Sequence, residues 1–310
     1  MAELNVVLGV GPTGRAVVER LLEGDRPTRV VTRSGKANVP DGVQVVAADI
    51  TDHASAARAC DGATVVFGCV GLPGYDGWPE LWPPLMDGML HGAERAEAPF
   101  IFMDNLYMYG PVDVPRTEDM ALTDYGNKPA VRAKITRMWQ DAHAAGRVQV
   151  AAVRASDFYG PGVTLAALGD YTVGRMSRGK AAQVFGDPDQ LHAFTYVPDI
   201  ARALVSVADG GDDALGQAWH VPNAPTRTMR ELLVTFAGHL DVDLKVQALR
   251  PPMMTLIGLF DKQVREAKEM LYQWDRPFLV DHSKFGQRFW DDPTPFEVGI
   301  PATAAWNKSR

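Results

Sequence analysis

The chain has 310 residues, of which 46% are hydrophobic and 22% charged, and its formal net charge is −7. A chain of this length can bury a substantial core in one large or two smaller domains. The basic residues are scattered, so the composition excludes the basic stripe of a nucleic-acid-binding protein and the polybasic patch of a membrane-surface protein.

Other classes are excluded by specific patterns. No apolar stretch reaches the ~18 residues that a membrane-spanning helix needs. Cys60 and Cys69 are the only cysteines, which are too few for a disulfide framework, and the histidines do not have the spacing of metal ligands. We therefore expect a cytoplasmic protein without a metal site, whose partner is a small-molecule substrate and neither nucleic acid nor membrane.

The N-terminal segment combines an apolar strand pattern, a glycine-rich turn and a helix pattern. Gly9, Gly11 and Gly14 form a G-x-G-x-x-G sequence between strand and helix. In a dinucleotide-binding turn the first glycine permits the tight turn, the second lets the backbone approach a pyrophosphate, and the third lets helix and strand pack closely. Pro12 and Thr13 begin the helix, whose free N–H groups suit phosphates. These five residues are predicted to bind a dinucleotide.

The next strands indicate which dinucleotide binds. The second strand pattern, residues 28–33, ends without the Asp or Glu that NAD-preferring proteins place on the ribose 2′-hydroxyl. The guanidinium of Arg33 suits a 2′-phosphate, so we predict NADP(H), with NAD(H) as the alternative. A solvated loop charge is the other interpretation of Arg33. Asp49 and Ile50, after the third strand, are predicted to lie at the adenine, and capping of the next helix is the alternative for Asp49.

Strand and helix patterns alternate through the first half of the chain, and the strands are almost continuously apolar. This alternation predicts an α/β fold with a doubly wound parallel sheet of the Rossmann type. Residues 1–160 are predicted to form the dinucleotide-binding domain, to which a strand near 195–221 returns. Residues 161–310, with shorter and Pro/Gly-rich elements, are predicted to form mainly a smaller substrate-binding lobe over the carboxyl ends of the strands.

The loop after the fourth strand contains small residues and then aromatic ones. Val70 and Gly71 are predicted to lie beside the cofactor, and Tyr75 and Trp78 to line an apolar substrate pocket. Further candidates for the pocket wall are Leu72, Pro73, Met253, Met254, Phe260, Met270, Tyr272 and Trp274. For the C-terminal members of this set, a place in the core of the smaller lobe is the alternative interpretation.

Four segments resemble those of a known family. Residues 100–110 (FIFMDNLYMYG) resemble a strand that ends in S-S-x-x-V-Y-G, and residues 154–162 (RASDFYGPG) resemble R-x-x-N-V-Y-G-P-G. Residues 179–186 and 192–201 resemble the loop and the R-D-F-x-x-V-x-D-x-A segment that follow. By these motifs the chain is identified as an atypical member of the extended short-chain dehydrogenase/reductase superfamily, of the epimerase/dehydratase type. Its glycine turn departs from the family's usual G-x-x-G-x-x-G.

The resemblance implies an active site with a Ser or Thr, a Tyr that transfers the proton, and, four residues later, a Lys that holds the nicotinamide ribose. Alignment on Tyr109 puts Asn105 in the Ser position and Lys134 in the Lys position, but Ala130 in the Tyr position. We therefore predict that Asn105 polarises the reacting oxygen, that Lys134 holds the ribose, and that another group supplies the proton.

The candidates for this proton donor are Tyr107, then Lys128, then Tyr159. A pocket wall is the alternative role for Tyr107, and a solvated charge at a helix start is the alternative for Lys128. Tyr159 is also predicted to contact the substrate. His192 stands where similar sugar-nucleotide epimerases place an Arg on the substrate diphosphate, and imidazole cannot form that two-pronged contact. It is predicted to contact a substrate carbonyl or carboxylate, or else to tether the smaller lobe.

These observations predict an NADP(H)-dependent reductase or dehydrogenase of a small, fairly apolar carbonyl or enone substrate, in which the usual catalytic Tyr is absent. Two alternatives stay open. One is a non-catalytic NADP(H) sensor, suggested by Ala130 and Asn105. The other is an epimerase or dehydratase that uses the dinucleotide transiently. The family resemblance also makes a homodimer an expectation.

Overall fold

Short apolar strands alternate with helices in the computed structural model, which describes residues 3–249, 254, 255, 259 and 262–310. The largest sheet has seven strands, all in parallel pairs. These strands are β1 (Leu4–Leu8), β2 (Thr28–Thr32), β3 (Gln44–Ala47), β4 (Ala63–Gly68), β5 (Phe100–Asp104), β6 (Val150–Arg154) and β11 (Ala218–His220). Their spatial order, β11-β6-β5-β4-β1-β2-β3, confirms the predicted doubly wound sheet.

Helices cover both faces of this sheet. They are α1 (Pro12–Glu23), α2 (His53–Cys60), α3 (Trp78–Arg95), α4 (Lys128–Ala144) and α6 (Val197–Ala208). Side chains alternate between the two faces of a strand, and β5 illustrates the consequence. Phe100 and Phe102 belong to the core shared with α2, α3 and α4, whereas Ile101 belongs to the core shared with α1 and α6. Both faces of the sheet are therefore buried.

Beyond β6 the elements become shorter and form three two-stranded sheets. The strands are β7 (Asp157–Tyr159) with β10 (Phe194–Tyr196), β8 (Ala182–Phe185) with β13 (Val246–Leu249), and β9 (Leu191–His192) with β12 (Arg227–Thr228). The helices are α5 (Val173–Met176), α7 (Met229–Leu240), α8 (Lys262–Ala267), α9 (Ser283–Arg288) and α10 (Phe296–Lys308). A separate core around Phe194, Phe236 and Phe296 holds most of these pieces together beyond the carboxyl end of β6.

Two features are absent from the described part of the chain. No helix there is long and apolar enough to cross a membrane. No group of three or more His, Cys, Asp or Glu side chains within those ranges is placed to hold a metal ion.

Candidate dinucleotide turn and strand-end site

The glycine turn between β1 and α1 requires glycine at two of its three positions. Gly9 has a φ of +88°, and an added Cβ would lie 3.0 Å from the carbonyl oxygen of Cys69. A Cβ on Gly14 would lie 2.0 Å from the carbonyl oxygen of Gly9, so only glycine lets α1 pack this close to the strand end. Gly11 is different, because its backbone is extended and an added Cβ would meet no described atom within 4 Å.

The open side of Gly11 fits a dinucleotide phosphate. Pro12 occupies the first turn of α1, where a missing N–H costs nothing, and the other N–H groups of that turn are free to bind an anion. Thr13 is buried within the turn. Across from it, a Cβ on Gly71 would also meet no described atom within 4 Å, and Val70 is half-buried. The residues present therefore suit the cofactor that the glycine pattern predicts.

The ends of β2 and β3 lie beside this turn. Arg33 and Asp49 are both exposed, and the Arg33 charge contributes to a lowered pKa of Asp49. The larger cause of this lowered pKa is Thr51, whose Oγ1 and backbone N donate to the carboxylate at 2.7 and 2.9 Å. Asp52 caps α2 by accepting a hydrogen bond from Ser55 N (2.9 Å), so the alternative role of Asp49 as the helix cap is wrong.

Ile50 is held in place by α3, which packs closely against its backbone. Its side chain is buried, and a Cβ on Gly88 would lie 1.7 Å from its carbonyl oxygen. This close approach fixes the loop that carries Asp49 and Ile50, the two residues predicted at the adenine.

Asn105 and Tyr107 follow directly after β5, at the carboxyl edge of the sheet. The backbone N of Tyr107 donates to Asn105 Oδ1 (3.0 Å), which fixes the amide. The phenol oxygens of Tyr107 and Tyr75 lie 3.0 Å apart. Trp78 stacks against Tyr107 with 6.1 Å between ring centroids, and its Nε1 donates to Gly74 O (2.6 Å). The loop after β4 and the end of β5 thus bring Tyr75, Trp78, Asn105 and Tyr107 together.

Burial controls the acidity of the two phenols. It raises the pKa of Tyr75 to about 12. It also raises the pKa of Tyr107 well above 10, with smaller contributions from Tyr75 and the negative charge of Asp157. Both hydroxyls are therefore protonated at neutral pH and can donate a proton to an oxygen that becomes basic. Asp157 begins β7, and sequence analysis did not identify it.

A buried charge network lies next to this site and was also missed. Asp104, the last residue of β5, is completely buried and accepts a hydrogen bond from Arg132 Nη2 of α4. Its register partner on β6 is Arg154, whose Nε lies 3.7 Å from the carboxylate. Arg154 Nη1 donates to Tyr109 Oη (2.6 Å), which lies 2.8 Å from His220 Nε2. An Asp and an Arg that end adjacent apolar strands were the sequence signal for this network.

The buried face of α4 corrects the prediction for Lys134. Lys128 and Arg132 are buried one turn apart, whereas Lys134 is exposed. Two positions along a helix rotate the side chain by ~200°, so Lys134 points away from the face on which Arg132 meets Asp104. Lys134 is therefore not placed to hold a ribose at the strand ends. Lys128 and Arg132 have the four-residue spacing that the family resemblance assigns to Tyr and Lys.

The surroundings of Lys128 argue against its role as a proton donor. Its Nζ pairs with Glu266 and lies 2.9 Å from Glu269. Burial lowers the pKa of Lys128, but the hydrogen bonds to these two carboxylates outweigh burial and the net pKa is raised. The ammonium therefore keeps its proton.

Tyr159 belongs to the core of the smaller lobe, which corrects its predicted roles as substrate contact and proton donor. It is only 1% exposed, and its ring packs against those of Tyr196 and Phe296 at centroid distances of 5.2 and 5.5 Å. A Cβ on Gly299 would lie 2.6 Å from Tyr159 Oη, so α10 packs directly on the hydroxyl. Tyr159, two residues beyond Asp157 on β7, thus packs inside the smaller lobe.

Both ring nitrogens of His192 are occupied. Nε2 lies 2.6 Å from Asp157 Oδ2, and Nδ1 lies 3.1 Å from Gln273 O. The ring stacks on Trp274 with centroids 3.8 Å apart and on Phe278 with centroids 4.8 Å apart. This geometry corrects the prediction of a substrate contact and supports the alternative, a histidine that tethers the smaller lobe to the strand ends.

The remaining candidates for the pocket wall fall into different environments. Leu72 is half-buried against the sheet core and Pro73 is exposed. Met254, Met270, Tyr272 and Trp274 are buried, and Trp274 belongs to the core of the smaller lobe. Met253 and Phe260 lie outside the described residues.

Comparison with known proteins identifies the family. A model described as the NAD dependent epimerase/dehydratase family matches residues 6–221. The chain belongs to this family, as the glycine turn and the strand-end motifs predicted.

Curated relatives match part of the chain. Over 212 residues it is 23% identical to dTDP-glucose 4,6-dehydratase 1 of Escherichia coli (strain K12), a match that covers 63% of this chain and 53% of the relative. Over 202 residues it is 26% identical to 3beta-hydroxysteroid-dehydrogenase/decarboxylase isoform 2 of Arabidopsis thaliana, covering 58% of this chain and 35% of the relative. The chain thus spans about half of the first relative and about a third of the second.

Solved structures share the fold over nearly the whole chain. UDP-glucuronic acid 4-epimerase from Bacillus cereus, in complex with NAD, has a TM-score of 0.81 at 14% identity and covers 99% of both chains. DesIV, a dTDP-glucose 4,6-dehydratase from Streptomyces venezuelae with NAD and TYD bound, has a TM-score of 0.82 at 19% identity and covers 99% of this chain and 97% of its own. At these identities the likeness concerns the fold.

Proposed function

We propose that this protein is an NAD(P)-dependent enzyme of the epimerase/dehydratase type that acts on an alcohol or carbonyl carbon of a small molecule. The observation that carries the proposal is the contact of 3.0 Å between the phenol oxygens of Tyr75 and Tyr107, next to Asn105. It supplies a proton donor where the usual catalytic Tyr is absent. Support also comes from the family and from the relatives named above.

The dinucleotide, when bound, supplies the hydride chemistry. Gly9, Gly11 and the N–H groups at the start of α1 would hold its phosphates, with Gly71 on the facing side. Asp49 and Ile50 would lie at the adenine. We keep NADP(H) preference as a hypothesis that rests on Arg33, while the solved relatives named above contain NAD.

The chain's own residues then act on the substrate oxygen. Asn105 Oδ1 is engaged by the backbone of Tyr107, which leaves Nδ2–H₂ to donate to that oxygen. Tyr107 gives its proton to the oxygen as negative charge develops there, and Tyr75 stabilises Tyr107 through the shared hydrogen bond. The aromatic rings of Trp78 and Tyr107 exclude water from this step.

The test begins with the protein as purified. If the hydride returns to the substrate in each turnover, we expect the purified protein to retain a dinucleotide. Acid releases the bound dinucleotide, and mass spectrometry identifies it. Product analysis by NMR with dTDP- and UDP-sugars, and stopped-flow absorbance of the reduced dinucleotide with ketones and enones, then assign the reaction. Net oxidation of the reduced dinucleotide in the presence of a ketone or enone would instead establish the reductase predicted from the sequence. No conversion of any member of these panels would contradict the proposal.

A variant pair tests the assigned proton donor. Tyr107→Phe should lower kcat by ~10²–10⁴-fold with unchanged dinucleotide affinity, because general acid catalysis contributes about that factor. Tyr171→Phe is the matched control, since Tyr171 is exposed. Equal activity of Tyr107→Phe and the control would remove the assignment.

A non-catalytic dinucleotide sensor is the second candidate. It is favoured by Ala130 in the position of the usual catalytic Tyr. Lys128 and Arg132, which have the four-residue spacing of the usual Tyr and Lys, are instead held in ion pairs with Glu266 and Asp104. Such a protein would bind dinucleotide tightly in calorimetric titration and convert no substrate.

A further inference from the structure

Arg116 has a buried guanidinium that finds no hydrogen-bonding partner in the part of the chain that the structure describes. It belongs to the chain segment that connects Tyr109 to the start of α4, and its relative exposure is 0%. Its backbone N donates to Leu279 O (2.9 Å) and its carbonyl accepts from Asp281 N (2.9 Å), which ties the segment down. Yet Nε, Nη1 and Nη2 all lack a hydrogen-bond partner among the residues that the structure describes. Five N–H donors are therefore left unused in a buried position.

A buried guanidinium without a partner lowers the stability of the fold unless another group pairs with it. Burial lowers the pKa of Arg116 to about 10, and the guanidinium carbon lies 3.7 Å from the ring centroid of Phe278. A cation–π contact of this kind is stabilising, but it does not offset the whole cost of burying an unpaired ion. The nearby carboxylate of Asp113 is exposed and pairs with Arg276 instead.

Other unpartnered polar atoms accompany Arg116. Tyr272 Oη and Gln273 Oε1 are buried and, like the guanidinium, have no hydrogen-bond partner within the described ranges. A natively buried polar group without a partner is rare and indicates a missing ligand or water. Here the Arg116 guanidinium, the Tyr272 hydroxyl and the Gln273 side-chain oxygen all lack a hydrogen-bond partner among the described residues.

The cluster adjoins the strand-end site. Gln273, the residue after Tyr272, places its carbonyl oxygen 3.1 Å from His192 Nδ1. The ring of Phe278 contacts Arg116 and also stacks on His192, which holds Asp157. Arg116 and Gln273 are thus both linked to His192 and Asp157, and Asp157 is one of the charges that act on Tyr107.

We propose that Arg116 is the receptor for an anionic group of the substrate, a carboxylate or a phosphate, with Tyr272 as a second donor. The substrate would then be an acid or a phosphate ester that also carries the reacting alcohol or carbonyl. The guanidinium fork forms two parallel hydrogen bonds with such a group, and burial makes them strong. This inference rests on the proposed function for the location of the reacting oxygen.

Anion binding can be tested without turnover. Wild-type protein is titrated calorimetrically with inorganic phosphate and with acetate at constant ionic strength, and the same is done for Arg116→Met. The matched control is Arg276→Gln, which removes a nearby guanidinium that already has carboxylate partners. We expect one saturable anion per chain in wild type and control, and at least tenfold weaker binding in Arg116→Met. The anion that binds more tightly distinguishes a phosphate ester from a carboxylic acid.

Stability adds an independent readout. Without anion, Arg116→Met should melt about 2–4 °C higher than wild type, because an apolar side chain replaces an unpaired buried charge. Added phosphate should raise the melting temperature of wild type but not of Arg116→Met. If Arg116→Met fails to fold, Tyr272→Phe replaces it, with an expected severalfold loss of anion affinity.

Two results would overturn the inference: no saturable anion binding by wild type, or equal anion affinity in wild type and Arg116→Met. Dinucleotide titration of the same proteins separates this result from the proposed function. Failure of wild type to bind dinucleotide, with anion binding intact, would reject the proposed function alone.

Discussion

The glycine turn and the strand-end site lie on the same edge of one sheet but are built in opposite ways. The turn is formed by the backbone of residues 9–14, and its geometry depends on the absence of side chains at Gly9 and Gly14. The strand-end site is formed by side chains, and Tyr75, Tyr107 and Asp157 come from three separate segments. A local pattern can specify the first site, whereas the second depends on how distant segments pack.

The two regions also differ in charge. Phosphate groups at the turn would be met by N–H groups and the helix dipole, without a buried side-chain charge. Behind the strand ends, the buried carboxylate of Asp104 is compensated by Arg132 and Arg154, while Arg116 has no described counter-charge. Variants should therefore act through sterics in the first region and through charge in the second.

The largest effect is expected at Gly14. In Gly14→Ala the new Cβ would lie 2.0 Å from the carbonyl oxygen of Gly9, and neither backbone segment can move without separating α1 from β1. We expect destabilisation on the order of 5 kcal/mol, measured by urea denaturation. Gly11→Val is the comparison, because its Cβ enters open space: it should melt like wild type but lose dinucleotide binding. A stable Gly14→Ala would contradict the steric account of the turn.

The next effect is expected at Asp104. Asp104→Asn keeps the shape of the side chain but leaves Arg132 and Arg154 buried without their carboxylate. Breaking a buried ion pair in this way costs ~3–5 kcal/mol. Asp113→Asn, which removes an exposed partner of Arg276, should cost less than ~1 kcal/mol. Similar losses of unfolding free energy in both variants would mean that burial does not determine the strength of this network.

The sequence predicted the fold and the glycine turn because both follow from local patterns. Apolar strands alternating with helices leave few parallel topologies. The roles assigned to Gly9 and Gly14 need only the strand and helix that flank them. The domain boundary near residue 160 stays a prediction.

The strand-end site was predicted only in part, and the reason is geometric. Asn105 and Tyr107 follow a recognisable strand, so their location could be inferred. Lys134 was chosen by counting from Tyr109 across a loop, but the rotational phase of α4 depends on which residues it buries, and these are Lys128 and Arg132. Errors for Tyr159 and His192 arose similarly, because their partners come from segments far away in the sequence.

A pH effect of intermediate size should distinguish the strand-end network from the turn. Burial lowers the pKa of His220 to about 3, and the charge of Arg154 contributes. The unfolded chain, with a His pKa near 6.5, therefore binds more protons between these values, and stability falls as pH decreases through this window. From pH 7.5 to 5, His220 should account for a loss of about 2 kcal/mol.

Urea denaturation of His220→Asn at both pH values tests this expectation, since the variant should lose that part of the pH dependence. His53→Asn is the control, because His53 lies on the surface beside Asp87. Parallel pH profiles for wild type and His220→Asn would show that another group is responsible.

The smallest effect is expected at the rim of the dinucleotide site, where Arg33 is exposed beside Asp49. If Arg33 binds a 2′-phosphate, Arg33→Ala should weaken the binding of NADPH by about 1.5 kcal/mol, which is roughly tenfold in Kd. The affinity for NADH should stay unchanged, because the charge-assisted hydrogen bond exists only with NADPH. Calorimetric titration with both cofactors measures the difference. Arg15→Ala is a suitable control, since Arg15 is an exposed α1 residue paired with Glu19. Equal changes for the two cofactors would place Arg33 among the solvated surface charges and favour NAD(H). The glycine turn would then bind the phosphates common to both dinucleotides, and nothing at the end of β2 would discriminate between them.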